Sequence, residues 1–139
     1  MSIEIEPVTW EIVDYWKASG LLFGHVRPVP FFVSRDDEGK VQGVLGLLDT
    51  PEIRTIIIGP LIAKNGTIGL SLIGAMEKIL ASYGMYRYSF YIDKYTPEHW
   101  SNRVRSFTDK GIFEYLGISE TGAHWYERHM VPLEEMVML

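Results

Sequence analysis

Residues 64–69 read Lys-Asn-Gly-Thr-Ile-Gly, directly ahead of a long apolar-periodic segment. A glycine-containing turn that opens a helix has two readings. Backbone N–H groups and the positive helix end can take an anion, with glycine allowing close approach. The same residues can also form an ordinary helix start, with Gly66 in the turn and the Thr67 hydroxyl as a cap. Asp93 follows an alternating segment and carries a carboxylate able to take a proton. It can equally start the turn Asp93-Lys94-Tyr95. Tyr91 and Tyr126 offer phenols able to give a proton, although most of the eight tyrosines should pack with their hydroxyls toward the surface. Glu52 is a second carboxylate and reads as a turn residue. The four histidines, His25, His99, His124 and His129, show no metal-ligand spacing, so no metal site is expected.

Several chemistries are excluded outright. The chain has no cysteine, which removes disulfides, thiolate metal sites and a cysteine nucleophile. It contains no nucleophile elbow, Walker loop or paired-carboxylate pattern. The net charge of -5 argues against nucleic acid, and the cluster Arg103, Arg105, Lys110 is too small to reverse that. The acidic start, MSIEIEP, lacks the features of a signal peptide. The apolar run at 56–63 is broken by Gly59 and Pro60 and falls well short of the ~20 residues a membrane span needs. An intracellular, cytoplasmic domain without a membrane partner is expected. At 139 residues, 47% of them hydrophobic and 22% charged, one domain with a real core is expected.

The candidate residues must be held by elements. Thr9 caps a first helix that carries Trp10, Val13 and Trp16 and stops at Ser19-Gly20. Residues 21–30 read as a loop kept extended by Pro28 and Pro30. Strands at 31–34, 40–48 and 53–63 form an antiparallel meander, with a bulge or edge near Gly59-Pro60. A helix at about 67–82 presents Ile68, Leu72, Ala75, Met76, Ile79 and Tyr83 on one side and ends at Gly84. A strand at 85–92 follows. The next helix has Thr96 as cap, Pro97 at its first position, and Trp100, Val104 and Phe107 as its buried stripe. Lys110-Gly111 closes it. A hairpin pairs 114–119 with 123–131. The domain covers 1–131, and 132–139 is an apolar tail.

This order of elements, together with three segments, resembles the GNAT superfamily of acetyl-CoA-dependent N-acyltransferases. The resemblance runs from about Ile3 to Val131. It implies an α/β (α+β) three-layer fold with a mixed, mostly antiparallel sheet of about six strands. The first segment, Gly59-Pro60-Leu61-Ile62-Ala63, looks like the end of the family's fourth strand. There a bulge splays two strands, and backbone groups, here those of Ile62 and Ala63, meet the pantetheine arm of the cofactor. The second, residues 64–69, is similar to the family's (Arg/Gln)-x-x-Gly-x-(Gly/Ala) pyrophosphate loop. Lys64 and Gly69 match, and Thr67 stands where the central glycine belongs. Lys64, Asn65, Gly66, Thr67, Ile68 and Gly69 are thereby implied as cofactor-binding residues.

The third segment, residues 102–113, looks like the family's Asn…Tyr-Glu-Lys-x-Gly-Phe region and adds Asn102 to that set. Thr108 falls where many members carry a tyrosine as general acid, and a threonine cannot protonate a thiolate at neutral pH. Asp93 then becomes the catalytic base, pointing into the splay, with Tyr91 or Tyr126 as substitute acids. His25 could border the substrate mouth. The resemblance implies transfer of an acetyl group from acetyl-CoA to an amine on a small molecule or protein. The acidic chain leans toward a cationic acceptor.

Thr67 and Thr108 also fit a second reading, a catalytically inactive GNAT-fold structural or interaction protein. Similar small proteins are encoded by bacteriophages, some as virion components. The apolar tail, rich in Leu, Met and Val, agrees with a homo-oligomer or larger assembly.

Overall fold

The computed structural model of the protein describes residues 2–7, 9–18, 31–48, 56–94 and 96–130. The loop at 21–30 with His25, the turn residue Glu52 and the tail at 132–139 lie outside the described residues. Ten elements follow in order: β1 (Ser2–Glu6), α1 (Trp10–Ala18), β2 (Phe31–Arg35), β3 (Val41–Leu48), β4 (Ile56–Ala63), α2 (Gly66–Ser82), β5 (Arg87–Ile92), α3 (Glu98–Asp109), β6 (Phe113–Ile118) and β7 (His124–His129).

Alternation along the strands divides the core into two faces. Phe32, Leu45, Leu61 and Tyr88 point to one side and pack with Ile68, Leu72, Met76 and Leu80 of α2. Their neighbours Val33, Val44 and Ile62 point to the other and pack with Ile12 and Tyr15 of α1. Phe107 of α3 meets Phe113 edge-on, and Phe113 in turn meets Phe90, so α3 shares the face of α2. The result is three layers around one sheet, ordered β1-β2-β3-β4-β5-β7-β6. Every neighbouring pair is antiparallel except β4 and β5. The expected meander at β2, β3 and β4 is present.

Seven strands stand where about six were expected. The addition is β1, whose Ile3 and Ile5 alternate with Glu4 and Glu6. Its pairing with β2 is fastened by Arg35, which donates to both carboxylate oxygens of Glu6 at 2.8 Å and to Glu11 of α1 at 2.7 Å. The guanidinium holds the Glu6 carboxyl below the usual carboxylate range, mainly through the hydrogen bond. A lowered folded value means the stabilisation is complete above the unfolded value of about 4.3 and fades as pH falls through the lowered one. Glu6→Gln should therefore cost less than about 1 kcal/mol at neutral pH, because the pair is partly solvated. It should also flatten the acid limb of a melting-temperature profile below about pH 4.3. An unchanged acid limb would show that the pair contributes nothing.

On α1, Trp10 is exposed and Ile12 is buried, about 200° around the helix from it. Two local expectations are corrected. Along α2 the buried row is Ile68, Leu72, Met76 and Leu80, every fourth residue, which leaves Ile79 and Tyr83 exposed. Thr96 does not cap α3. Pro97 occupies the cap position without a side-chain bond, and the Thr96 hydroxyl turns back to Asp93. Thr9 does cap α1, accepting from the Ile12 N–H at 3.4 Å.

Gly43 explains how closely α2 sits on the sheet. A Cβ there would lie 2.8 Å from Ile68 and 2.9 Å from Leu72. Beneath the same helix, Tyr88 is buried and donates to Glu77 at 2.6 Å, while Arg128 of β7 also donates to Glu77 at 3.3 Å. Burial, with the Glu77 carboxylate beside it, keeps the Tyr88 hydroxyl protonated far above the usual tyrosine range. This phenol is a structural pin.

Candidate functional site

The site begins where the sheet opens. β4 and β5 run parallel and pair only at Ile56–Tyr88 and Ile57–Ser89. Beyond that point the remainder of each strand is unpaired with the other, and a wedge opens toward Ala63 and Ile92. The cause lies in β4. Leu45 pairs with Leu61 and Leu47 with Ile58, so Gly59-Pro60 on β4 oppose Gly46 alone. One extra residue bends the strand and turns it from its neighbour. The proline also removes a ladder donor at that position.

The ladder fixes which backbone groups line the wedge. The Lys64 N–H donates to the Gln42 carbonyl at 2.9 Å. Gln42–Lys64 is thus a hydrogen-bonded pair, and so is Val44–Ile62 two residues on. Between them Ala63 turns its N–H and C=O away from β3 and into the wedge, and Leu61 does the same. Ile62 gives its backbone to β3 and its side chain to the α1 face.

At the wide end of the wedge, α2 starts. Asn65 caps it, its Oδ1 accepting from the Ile68 N–H at 3.0 Å, while the Gly69 N–H reaches the Asn65 carbonyl at 3.2 Å. Helix geometry leaves the Gly66 and Thr67 amides without an upstream carbonyl. They point out of the positive end of a seventeen-residue helix. Two cations flank them. Lys64 precedes the cap and is exposed. Arg103 reaches across from α3, its Nη2 4.0 Å from where a Gly66 Cβ would lie and its guanidinium 5.9 Å from the Trp100 ring centre. Trp100 packs on Gly69 so closely that a Cβ at Gly69 would lie 2.5 Å from two ring carbons. That contact seats α3 beside the first turn of α2.

Asp93 is exposed just past β5. Its N–H donates to the Thr96 hydroxyl at 3.1 Å, and that hydroxyl donates to Asp93 Oδ1 at 3.2 Å. Tyr91 stacks on Trp125 with ring centres 5.9 Å apart. Tyr126 lies on the opposite face of the sheet, stacked on Phe90. Burial, aided by Tyr115 and opposed by Arg105, raises the Tyr126 hydroxyl above the usual tyrosine range, which makes it a poorer acid than an ordinary phenol. The Thr108 hydroxyl donates to the Val104 carbonyl of its own helix at 2.7 Å.

A wedge between parallel strands, a bulge in the first of them and an amide-lined helix start at its mouth form a recognisable architecture. A scan against protein-family models finds no match to the sequence, and a search of curated proteins finds none either. Solved structures do match. The chain is similar to a GNAT-family acetyltransferase from Staphylococcus aureus Mu50, with a TM-score of 0.64 at 10% identity over 94% of this chain and 100% of that one. The fold is GNAT-like. The aminoglycoside 6'-N-acetyltransferase from Enterococcus faecium gives a TM-score of 0.64 at 16% identity, covering 95% of this chain and 98% of that one. N-acetylglutamate synthase from Neisseria gonorrhoeae, complexed with coenzyme A and N-acetyl-glutamate, gives 0.62 at 14% identity, covering 95% of this chain and 36% of that one.

Against the GNAT pattern, the structure brings Ala63 and residues 64–69 together at one mouth. It leaves Asn102 exposed and off the face of α3 that meets α2, about 200° around the helix from Trp100. The residue that does reach the mouth is Arg103. Its signal in the sequence was the one-turn spacing from Trp100, which becomes legible only once Trp100 is known to face α2. Among the described residues no helix is long and apolar enough to cross a membrane.

Proposed function

We propose that the chain is a GNAT-type N-acyltransferase that uses an acyl-coenzyme A, with acetyl-CoA as donor and a primary amine as acceptor. The observation that carries this reading is the wedge. An extended chain of secondary amides entering it meets the outward N–H and C=O of Ala63 and Leu61 and can pair as a strand would. A pyrophosphate following it meets the Gly66 and Thr67 amides, Lys64 and Arg103. The fit is sterically open: Thr67 is exposed, and the nearest neighbour to a side chain at Gly66 is the Arg103 guanidinium itself. Thr67 therefore replaces a family glycine without closing the cradle. Asn65 does the capping, so the Thr67 amide remains available.

The co-substrate would supply a thioester carbonyl. The amine nitrogen bonds to that carbon, the C–S bond breaks, and the amine's proton leaves. Asp93, at the open end of β5, is the carboxylate placed to take that proton through water, and Thr96 orients it. Among the described residues Tyr91, on β5 and stacked on Trp125, is the phenol nearest that end and the better candidate to return a proton to sulfur. Thr108 is spent on its own helix. The net charge of -5 favours a cationic acceptor.

Calorimetric titration with acetyl-CoA tests the reading. One site per chain at micromolar affinity is expected, with turnover on a panel of amines that falls roughly a hundredfold or more in Asp93→Asn. Absence of heat at high micromolar cofactor would overturn the cofactor site and leave the fold as a scaffold only. Binding without turnover on any amine would overturn the catalytic assignment alone.

A further inference from the structure

A second cluster of chemically capable side chains lies at the other end of the sheet. Glu127 and His129 are two residues apart on β7 and so share a face. Glu114 of β6 stands directly opposite Glu127 in the register. On the β5 side, Glu127 and His129 face Ser89 and Arg87, the end of β5 remote from Asp93. The hairpin turn and the strand pleat thus bring one imidazole and two carboxylates together from positions 13 and 15 residues apart.

The donor atoms converge. His129 Nε2 is 3.3 Å from Glu114 Oε2 and 3.8 Å from Glu127 Oε1. The ligand atoms of all three lie within 4.8 Å of one another. Donors bound at ~2.1 Å to a tetrahedral ion stand about 3.4 Å apart, so both His129 spacings are close to that value and side-chain rotation brings the two carboxylates together. A second observation points the same way. Glu127 is 13% exposed at its side chain, and its Oε1 is buried without a hydrogen bond. The nearest guanidinium nitrogen, Arg87 Nε, stands 3.7 Å away on a side chain that is 44% exposed. A buried carboxylate oxygen that lacks a donor is costly, and a divalent cation satisfies it directly.

We propose that Glu114, Glu127 and His129 form a divalent metal site, suited to zinc, on the β6–β7 edge. The donor set decides the ion. One imidazole with two carboxylates suits zinc, whereas magnesium and calcium prefer all-oxygen shells. Three protein ligands leave one position open to water. His129 Nδ1 is buried with no hydrogen-bond partner among the described residues. The orienting bond that a metal-bound histidine usually donates is missing there, which weakens the site by roughly 10–100-fold relative to one that has it. The ion would staple β6 to β7 outside the acyl-transfer wedge and independently of it.

Zinc titration of the full chain by calorimetry, with cobalt absorption as a spectroscopic check, tests this. The expected result is one zinc per chain, no uptake of millimolar magnesium or calcium, and a rise in melting temperature on binding. Glu127→Gln and His129→Gln should each weaken zinc binding by roughly tenfold or more, and so should Glu114→Gln at the exposed position, where misfolding is not at issue. Asp93→Asn should bind zinc as the parent does. No uptake at high micromolar zinc would overturn the site. Stoichiometric uptake that survives Glu114→Gln and Glu127→Gln would also overturn it, because the zinc would then sit on other side chains.

Discussion

Gly69→Ala should lower the melting temperature by several degrees, although alanine is the better helix former. The added methyl would lie 2.5 Å from Cζ2 and Cη2 of Trp100. Alanine returns about 1 kcal/mol of helix propensity. Overpacking against a ring seated between two helices costs about 1–3 kcal/mol, and the larger value is expected because the indole is rigid beyond two torsions. The net loss of about 1–2 kcal/mol corresponds to roughly 2–8 °C for a domain of this size. Gly74 supplies the control within the same helix. A Cβ there meets nothing within 4 Å, so Gly74→Ala should stabilise by about 0.5–1 kcal/mol. Combining Gly69→Ala with Trp100→Ala should cost less than the sum of the two, because the clash exists only with both partners present. If Gly69→Ala stabilises as Gly74→Ala does, Trp100 is not packed where the structure places it. The outcome bears on function, because the same contact brings Arg103 to the mouth of the wedge.

Charge reversal at that mouth is the second large effect. Lys64→Glu and Arg103→Glu should each weaken coenzyme A binding by at least roughly tenfold, and together by about a hundredfold or more, since each removes a charge-assisted bond of about 1.5–3 kcal/mol and adds repulsion. Both side chains are exposed, so melting temperatures should hardly move. Binding by the parent should weaken as salt rises, and the double variant should lose most of that dependence. Asn102→Ala should have little effect, because Asn102 does not share the α3 face that meets α2. Equal affinity of parent and double variant would place the phosphates elsewhere. The Arg103 result is the more informative of the two. A basic residue at Lys64 follows from local pattern, whereas a role for Arg103 requires the α2–α3 contact.

Much of the fold was legible because it rests on local rules. The meander showed in alternating strands and polar turns, α2 in its helical apolar period, and the bulge in Gly59-Pro60. β1 escaped notice because five residues with two charges read as an acidic end, and its partner lies 29 residues away at Glu6–Arg35. Which side of the nine-residue α1 meets the sheet was not legible, because the size of Trp10 does not decide it. Thr96 was a fair cap by type. The competing bond to Asp93 won it, and no propensity records such a choice.

The site divides along the same line. By itself the sequence determined the order of elements from α1 onward, the basic residue and glycines at the start of α2, the proline that spoils the β4 ladder, and the absence of a tyrosine at Thr108. Each depends on neighbours within a few residues, where backbone sterics and hydrogen-bond periodicity act directly. Only the tertiary structure decided that Ala63 rather than Ile62 turns its amide into the wedge, because that follows from the register with β3. Only the packing of Trp100 on Gly69 brought Arg103 beside the start of α2. Only the β6–β7 register set Glu114 against Glu127 and His129, joining side chains whose sequence spacing carries no ligand signature. Contacts between distant segments are fixed by which faces can be buried together, and that is a property of the assembled sheet and helices.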